Sequence, residues 1–307
     1  MVLRHCGTWL LPLWLVACGD QGEGAPTMSN GPTPPSPSVQ TPSEPDANEA
    51  SPKPDRQAPP PRGTLLWDLT WVEAEAALTP ETVVVIPVGA ASKEHGPHLR
   101  LKNDWLLAEY YKDRVLQAAD VVIAPTLGFH HYPAFVEYPG STTLSETTSR
   151  DVVTQLCRGL ARFGPRRFYV LNTGVSTVGP LKASMEQLAD EGIVMRFTNI
   201  LEIAGPVEDE IREQPGGTHA DEIETSMMLY IAPETVDMSK AVRDWAPKTK
   251  PGFSRTPDGP GHYSKTGIWG DPTLATREKG ERVVEAMVVG MLADIEALRA
   301  VSLPERD

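Results

Sequence analysis

The sequence predicts an α/β protein built on a mostly parallel sheet. Three observations carry this expectation: short β-branched runs that stop at Pro or Gly, longer stretches with apolar residues at helical spacing, and alternation of the two along the chain.

Val83, Val84, Val85, Ile86 and Val88 make the first strand, and Val121, Val122 and Ile123, closed by Pro125, make the second. Residues 168–171 and 194–197 complete the set. Helices are expected at about 105–118, 147–163 and 179–191 between these strands, with two more at about 220–231 and 274–298. The helix at 147–163 shows the clearest stripe, with Val152, Val153, Leu156, Leu160 and Phe163 on one face.

The N-terminal region has a different character. Arg4 and His5 precede an apolar stretch from Trp9 to Ala17, too short to span a bilayer, in the pattern of a secretory signal. Leu15-Val16-Ala17-Cys18 looks like a bacterial lipobox, so residues 1–18 read as a lipoprotein signal with Cys18 as the lipidated N-terminus. Cys6 leaves with the signal, and a lipidated Cys18 leaves Cys157 without a thiol to pair with. Residues 19–62 are rich in Pro, Ser, Gly and Asn with almost no large apolar side chain, the composition of a tether. Residues 63–303 form the folded domain, large enough to bury a substantial core.

These features place the domain on the periplasmic side of a membrane or at the cell surface, held only by lipid. Gly19, where an aspartate would retain a lipoprotein at an inner membrane, points to the outer one. A net charge of −13 argues against nucleic-acid binding and against attraction to anionic headgroups.

Chemistry concentrates in two clusters. Glu94, His95, His98 and Asp104 follow the first strand, where open α/β sheets place their sites. Imidazole with carboxylate is a ligand mix for zinc, manganese or iron, and Gly96-Pro97 lets the loop fold back. The second cluster is His219-Ala220-Asp221-Glu222-Ile223-Glu224. Asp221 and Glu222 suit a helix start. Glu224 flanks an apolar face made by Ile223, Met227, Tyr230 and Ile231, where a carboxylate needs a cation or a donor.

Here the sequence resembles the creatininase family of metal-dependent amide hydrolases. Pro87-Val88-Gly89, Glu94-His95-Gly96-Pro97-His98-Leu99 with Asp104, Tyr138-Pro139-Gly140-Ser141-Thr142, Asn172-Thr173-Gly174 and His219 to Leu229 match its motifs in order. The resemblance covers about residues 67–298. It implies a three-layer α/β/α fold, one or two divalent ions (Zn or Mn, or Fe), hydrolysis of a C–N amide bond in a small linear or cyclic substrate, and a homo-oligomer, often a hexamer. Carried over, His95 and Asp104 match metal ligands, with Asp104 in the position that bridges both ions. Glu224 matches a glutamate near the metals, and His219 a histidine acting as general acid and base.

Two departures stand out. The family's first glutamate lies two residues before the histidine, where this chain has Lys93; Glu94 enters the ligand position only through a one-residue bulge. The histidine of the family's N-G-H motif is absent from Asn172-Thr173-Gly174. The expected outcomes are a mononuclear hydrolase, replacement by His98, His130 or His131, or loss of catalysis that leaves a lipid-anchored binding or assembly protein. Lys93, Tyr138, His262 and Trp269 are candidate pocket residues. No G-x-G-x-x-G follows any strand, which argues against a dinucleotide enzyme.

Overall fold

The structure, a computed structural model, describes residues 59–247 and 250–304. The signal segment, Cys18 and the tether up to residue 58 lie outside the described residues.

Five strands form one parallel sheet: β1 (Thr64–Leu65), β2 (Val83–Val88), β3 (Val122–Ile123), β4 (Arg167–Asn172) and β5 (Val194–Phe197), in the order β1-β3-β2-β4-β5. Between them run α1 (Trp71–Ala77), α2 (Asn103–Ala118), α3 (Glu146–Ala161) and α4 (Val178–Ala189). Then come α5 (Ile200–Ile211), α6 (Glu222–Ile231), a two-stranded ribbon of β6 (Phe253–Ser254) and β7 (His262–Tyr263), and α7 (Arg277–Arg299).

The pleat divides the core in two. Val83 and Val85 of β2, with Tyr169 and Leu171 of β4, join Leu107, Ile223, Met287 and Met291 on the face covered by α2, α6 and α7. Val84, Ile86 and Val88, with Phe168 and Val170, meet Val153, Cys157, Leu181 and Leu188 of α3 and α4 on the other. Every residue of β2 is buried, because helices cover both sides of a central parallel strand. The result is the three-layer α/β/α arrangement.

The predicted strands and helices all occur, with shifted ends. The helix expected from Ala220 starts at Glu222, because the Asp221 carboxylate accepts from the amides of Ile223 and Glu224 and Ala220 takes a left-handed φ of 49°. The last helix starts at Arg277, capped by Thr276. Helix α5 was not expected, since Gly205 and Pro206 interrupt its pattern; Pro206 nevertheless lies inside it. Among the described residues no helix is long and apolar enough to cross a membrane.

One glycine sets the position of the first cluster. At Gly89 a Cβ would lie 2.2 Å from the carbonyl oxygen of Asp104, so only glycine lets the first turn of α2 close against the end of β2.

Candidate metal centre

The end of β2, the start of α2 and the start of α6 bring Lys93, Glu94, His95, Asp104, His219 and Glu224 together. All but Glu224 are buried.

His95 is held between two acceptors. Its Nδ1 lies 2.9 Å from the backbone oxygen of Lys93, and its Nε2 lies 2.7 Å from Oδ1 of Asp104. A carbonyl oxygen only accepts, so Nδ1 carries the hydrogen and Nε2 is left for a proton shared with Asp104 or for a cation. His219 is oriented in the same way. Its Nε2–H donates to Oε2 of Glu94 at 2.9 Å, which turns Nδ1 towards Oε2 of Glu224, 3.7 Å away. That separation is too long for a direct hydrogen bond. The Oε2 of Glu224 also accepts from the amide of Ala220 at 2.6 Å, while its Oε1 accepts no hydrogen bond from the described residues.

One ligand atom from each of His95, His219 and Glu224 falls within 4.8 Å of the other two. Both rings have their second N–H anchored, the arrangement that fixes metal-ligating histidines. The donor chemistry fits one divalent ion, with an imidazole–carboxylate set suited to zinc, manganese or iron.

This set differs from the expected one in three ways. His219 joins it. Glu94 does not, because Oε2 is spent on His219 and Oε1 accepts the amide of Gly96. Asp104 stands beside the group rather than in it: Oδ1 lies 2.7 Å from the same Nε2 of His95, and Oδ2 lies 2.7 Å from Nζ of Lys93.

The electrostatics follow from this crowding. Burial opposes charge on Lys93, but Asp104 and then Glu224 raise its pKa above the ordinary lysine value. Burial likewise opposes ionisation of Asp104, yet Lys93 and His95 hold its carboxyl well below the usual range. Glu94 is also lowered: burial works against its ionised form, and His219 outweighs it. Burial and then Glu224 push the Asp221 carboxyl up to about 7.

The remaining expected residues stand around this group. Nε2 of His98 pairs with the Thr225 hydroxyl at 2.8 Å, and burial lowers its pKa to about 4. His131 turns away, its Nδ1 donating to the Leu144 oxygen at 3.0 Å. His130 is fully buried, and neither it nor His131 enters the ligand group. No histidine among the described residues takes the vacated N-G-H position: Asn172 bonds the Gly174 oxygen and the Thr177 hydroxyl, and the Tyr132 ring packs beside Gly174. Tyr138 donates to the Ser264 oxygen at 2.7 Å, which fixes a loop rather than opening a pocket. Trp269 bridges to the His219 backbone at 2.9 Å, and His262 lies 6.3 Å from its ring.

Three contributors gave no clear signal in the sequence. The Phe135 ring lies 4.1 Å from His219 and 4.9 Å from the Lys93 ammonium. Thr225 accepts or donates to His98. Gly267, at φ 85°, leaves room for Glu94, since a Cβ there would lie 1.9 Å from Oε1. A cavity of about 320 Å³ opens beside the group, lined by Lys93, Phe135, Gly174, His219, Glu224 and Met287 among others.

The family model for creatininase, creatinine amidohydrolase, matches residues 67–295. The chain belongs to the creatininase family. It is 27% identical to the creatinine amidohydrolase of Pseudomonas putida over 249 residues, 75% of this chain and 95% of that one. It is 28% identical over 215 residues to the mycofactocin precursor peptide peptidase of Mycolicibacterium smegmatis, covering 68% of this chain and 82% of that protein. A manganese creatininase superposes with a TM-score of 0.65 at 26% identity, over 77% of this chain and 99% of its own. A Zn–Zn form of a mutant creatininase gives 0.65 at 25% identity, over 77% and 98%. Two of these relatives are thus named as an amidohydrolase and a peptidase, and creatininase structures include manganese and zinc forms.

Proposed function

We propose that this creatininase-family chain is a metal-dependent hydrolase that cleaves the C–N amide bond of a small linear or cyclic substrate. The observation that carries the proposal is the convergence of His95, His219 and Glu224, the last two at the wall of a cavity, with both imidazoles locked by acceptors behind them. A divalent ion held by these three residues supplies Lewis acidity towards a carbonyl and makes water nucleophilic near neutral pH.

The side chains do the rest. Glu94 fixes the tautomer of His219, so that Nδ1 faces the ion site. With Nδ1 so committed, the proton transfers expected of His219 fall to Glu224, whose Oε1 is open: it takes a proton from the attacking water and returns it to the departing nitrogen. Lys93 presents its ammonium at the cavity wall, where it steadies negative charge growing on the carbonyl oxygen. Phe135 covers His219 and Lys93 and keeps water from their far side.

The test compares metal-depleted and Mn2+-reloaded chain against lactams, formamides, cyclic ureas and short peptides, with Glu224→Gln beside the parent. Turnover that needs both the metal and Glu224 is the expected result, and turnover of peptides alone would replace the small-amide substrate class. A second reading, a catalytically inactive binding protein, draws on Lys93 and Gly174 standing where relatives have ligands. Equal inertness of parent and Glu224→Gln on every substrate would select it.

The lipobox supports a membrane-tethered enzyme: Cys18→Ser should abolish fatty-acid labelling and release the chain from membranes. Family resemblance supports a homo-oligomer, which light scattering in solution checks.

A further inference from the structure

We propose that the Lys93 ammonium is a built-in cation standing in for the second divalent ion of the centre, so that this chain binds a single ion at His95, His219 and Glu224. The inference rests on the metal-dependent reading above and specifies how many ions that site takes.

The geometry around Asp104 is the first argument. A bridging carboxylate must offer one oxygen to each ion. Here Oδ1 faces Nε2 of His95 at 2.7 Å, on the side of the ligand group, and Oδ2 faces Nζ of Lys93 at the same distance. A second ion on Oδ2 would need the space the ammonium holds. The surroundings suit an ammonium: the rings of Phe135 and Tyr132 lie 4.9 and 5.8 Å from Nζ, as for a cation over aromatic faces. On the sheet side, Gly174 offers no donor side chain, and the hydroxyl of Thr173 is turned to the backbone oxygens of Val88 and Asp104.

Charge works in the same direction: a second divalent ion on Oδ2 would stand against the Lys93 ammonium, a like charge that a buried site screens poorly.

The experiment titrates the metal-depleted full chain with Mn2+ by calorimetry and counts bound ions by native mass spectrometry. One ion per chain is expected. Two ions would overturn this inference and leave the metal-dependent reading intact, whereas none would overturn that reading itself. Lys93→Glu, checked for folding by circular dichroism, should take up a second ion; a folded variant that still binds one overturns the proposal. Lys93→Gln keeps the side-chain length, removes the repulsion, and should bind its single ion at least about tenfold more tightly. Affinity unchanged in Lys93→Gln overturns the proposal even if Lys93→Glu does not fold.

Discussion

Glu94 and His219, 125 residues apart, are joined by a hydrogen bond of 2.9 Å from Nε2 to Oε2. The bond ties the loop after β2 to the start of α6 and decides which nitrogen of His219 faces Glu224. Glu94→Ala should therefore weaken Mn2+ binding by about 10- to 100-fold while leaving the ligand group chemically complete. Calorimetric titration of parent and variant reads the difference. Unchanged affinity would mean that the ring is oriented by its packing against Phe135 and Phe253 without Glu94.

Gly267 protects that bond from behind. At φ 85°, with a Cβ 1.9 Å from Oε1 of Glu94, alanine would be strained and would push the carboxylate aside. Gly267→Ala should lower stability by about 1–3 kcal/mol and reduce metal affinity as well. Thermal unfolding and titration on the same sample check both effects.

His130 makes the acid limb of stability testable away from the centre. It is fully buried with neither ring nitrogen bonded, and burial, then His131, lowers its pKa to about 4. The unfolded chain takes up its proton near the ordinary value of 6.5, so between about 6.5 and 4 the unfolded state holds more protons. Stability must fall as pH drops through that window. His130→Leu should reduce the slope by up to about 1.4 kcal/mol per pH unit. Denaturant melts at several pH values give the slopes, and identical slopes would show that His130 does not stay neutral in the fold.

Cys157 is buried in the layer between the sheet and α3, and burial pushes its thiol up. It should resist thiol reagents in the native chain and react on unfolding. Fast labelling under native conditions would show that this layer opens.

Much was legible in the sequence because its causes are local. The apolar run at Val83–Val88 reads directly as a strand, and the all-buried β2 follows from helices on both faces. The stripe expected in α3 is only partly its core face, since Leu156 and Phe163 are exposed while Val153, Cys157 and Ala161 are buried. Helix α5 was not legible, since a Pro inside a helix reads locally as a break and only packing on α7 outweighs it. Both polar clusters were also visible as residues, and Lys93 and the absent histidine marked where this chain leaves its relatives.

What each polar residue does was decided in three dimensions. Glu94 lies next to His95 in sequence but serves His219. His219, expected to carry protons, presents Nδ1 to the ligand group, and Lys93 meets Asp104. The sequence by itself determined the strands, most of the helices and the identity of the donors. Which donor faces which was set by the closure of α2 on β2 at Gly89, by the capped start of α6 and by the space left at Gly267. A donor's chemistry belongs to its side chain, whereas its partner depends on distances between segments more than a hundred residues apart in the chain, and only packing fixes those.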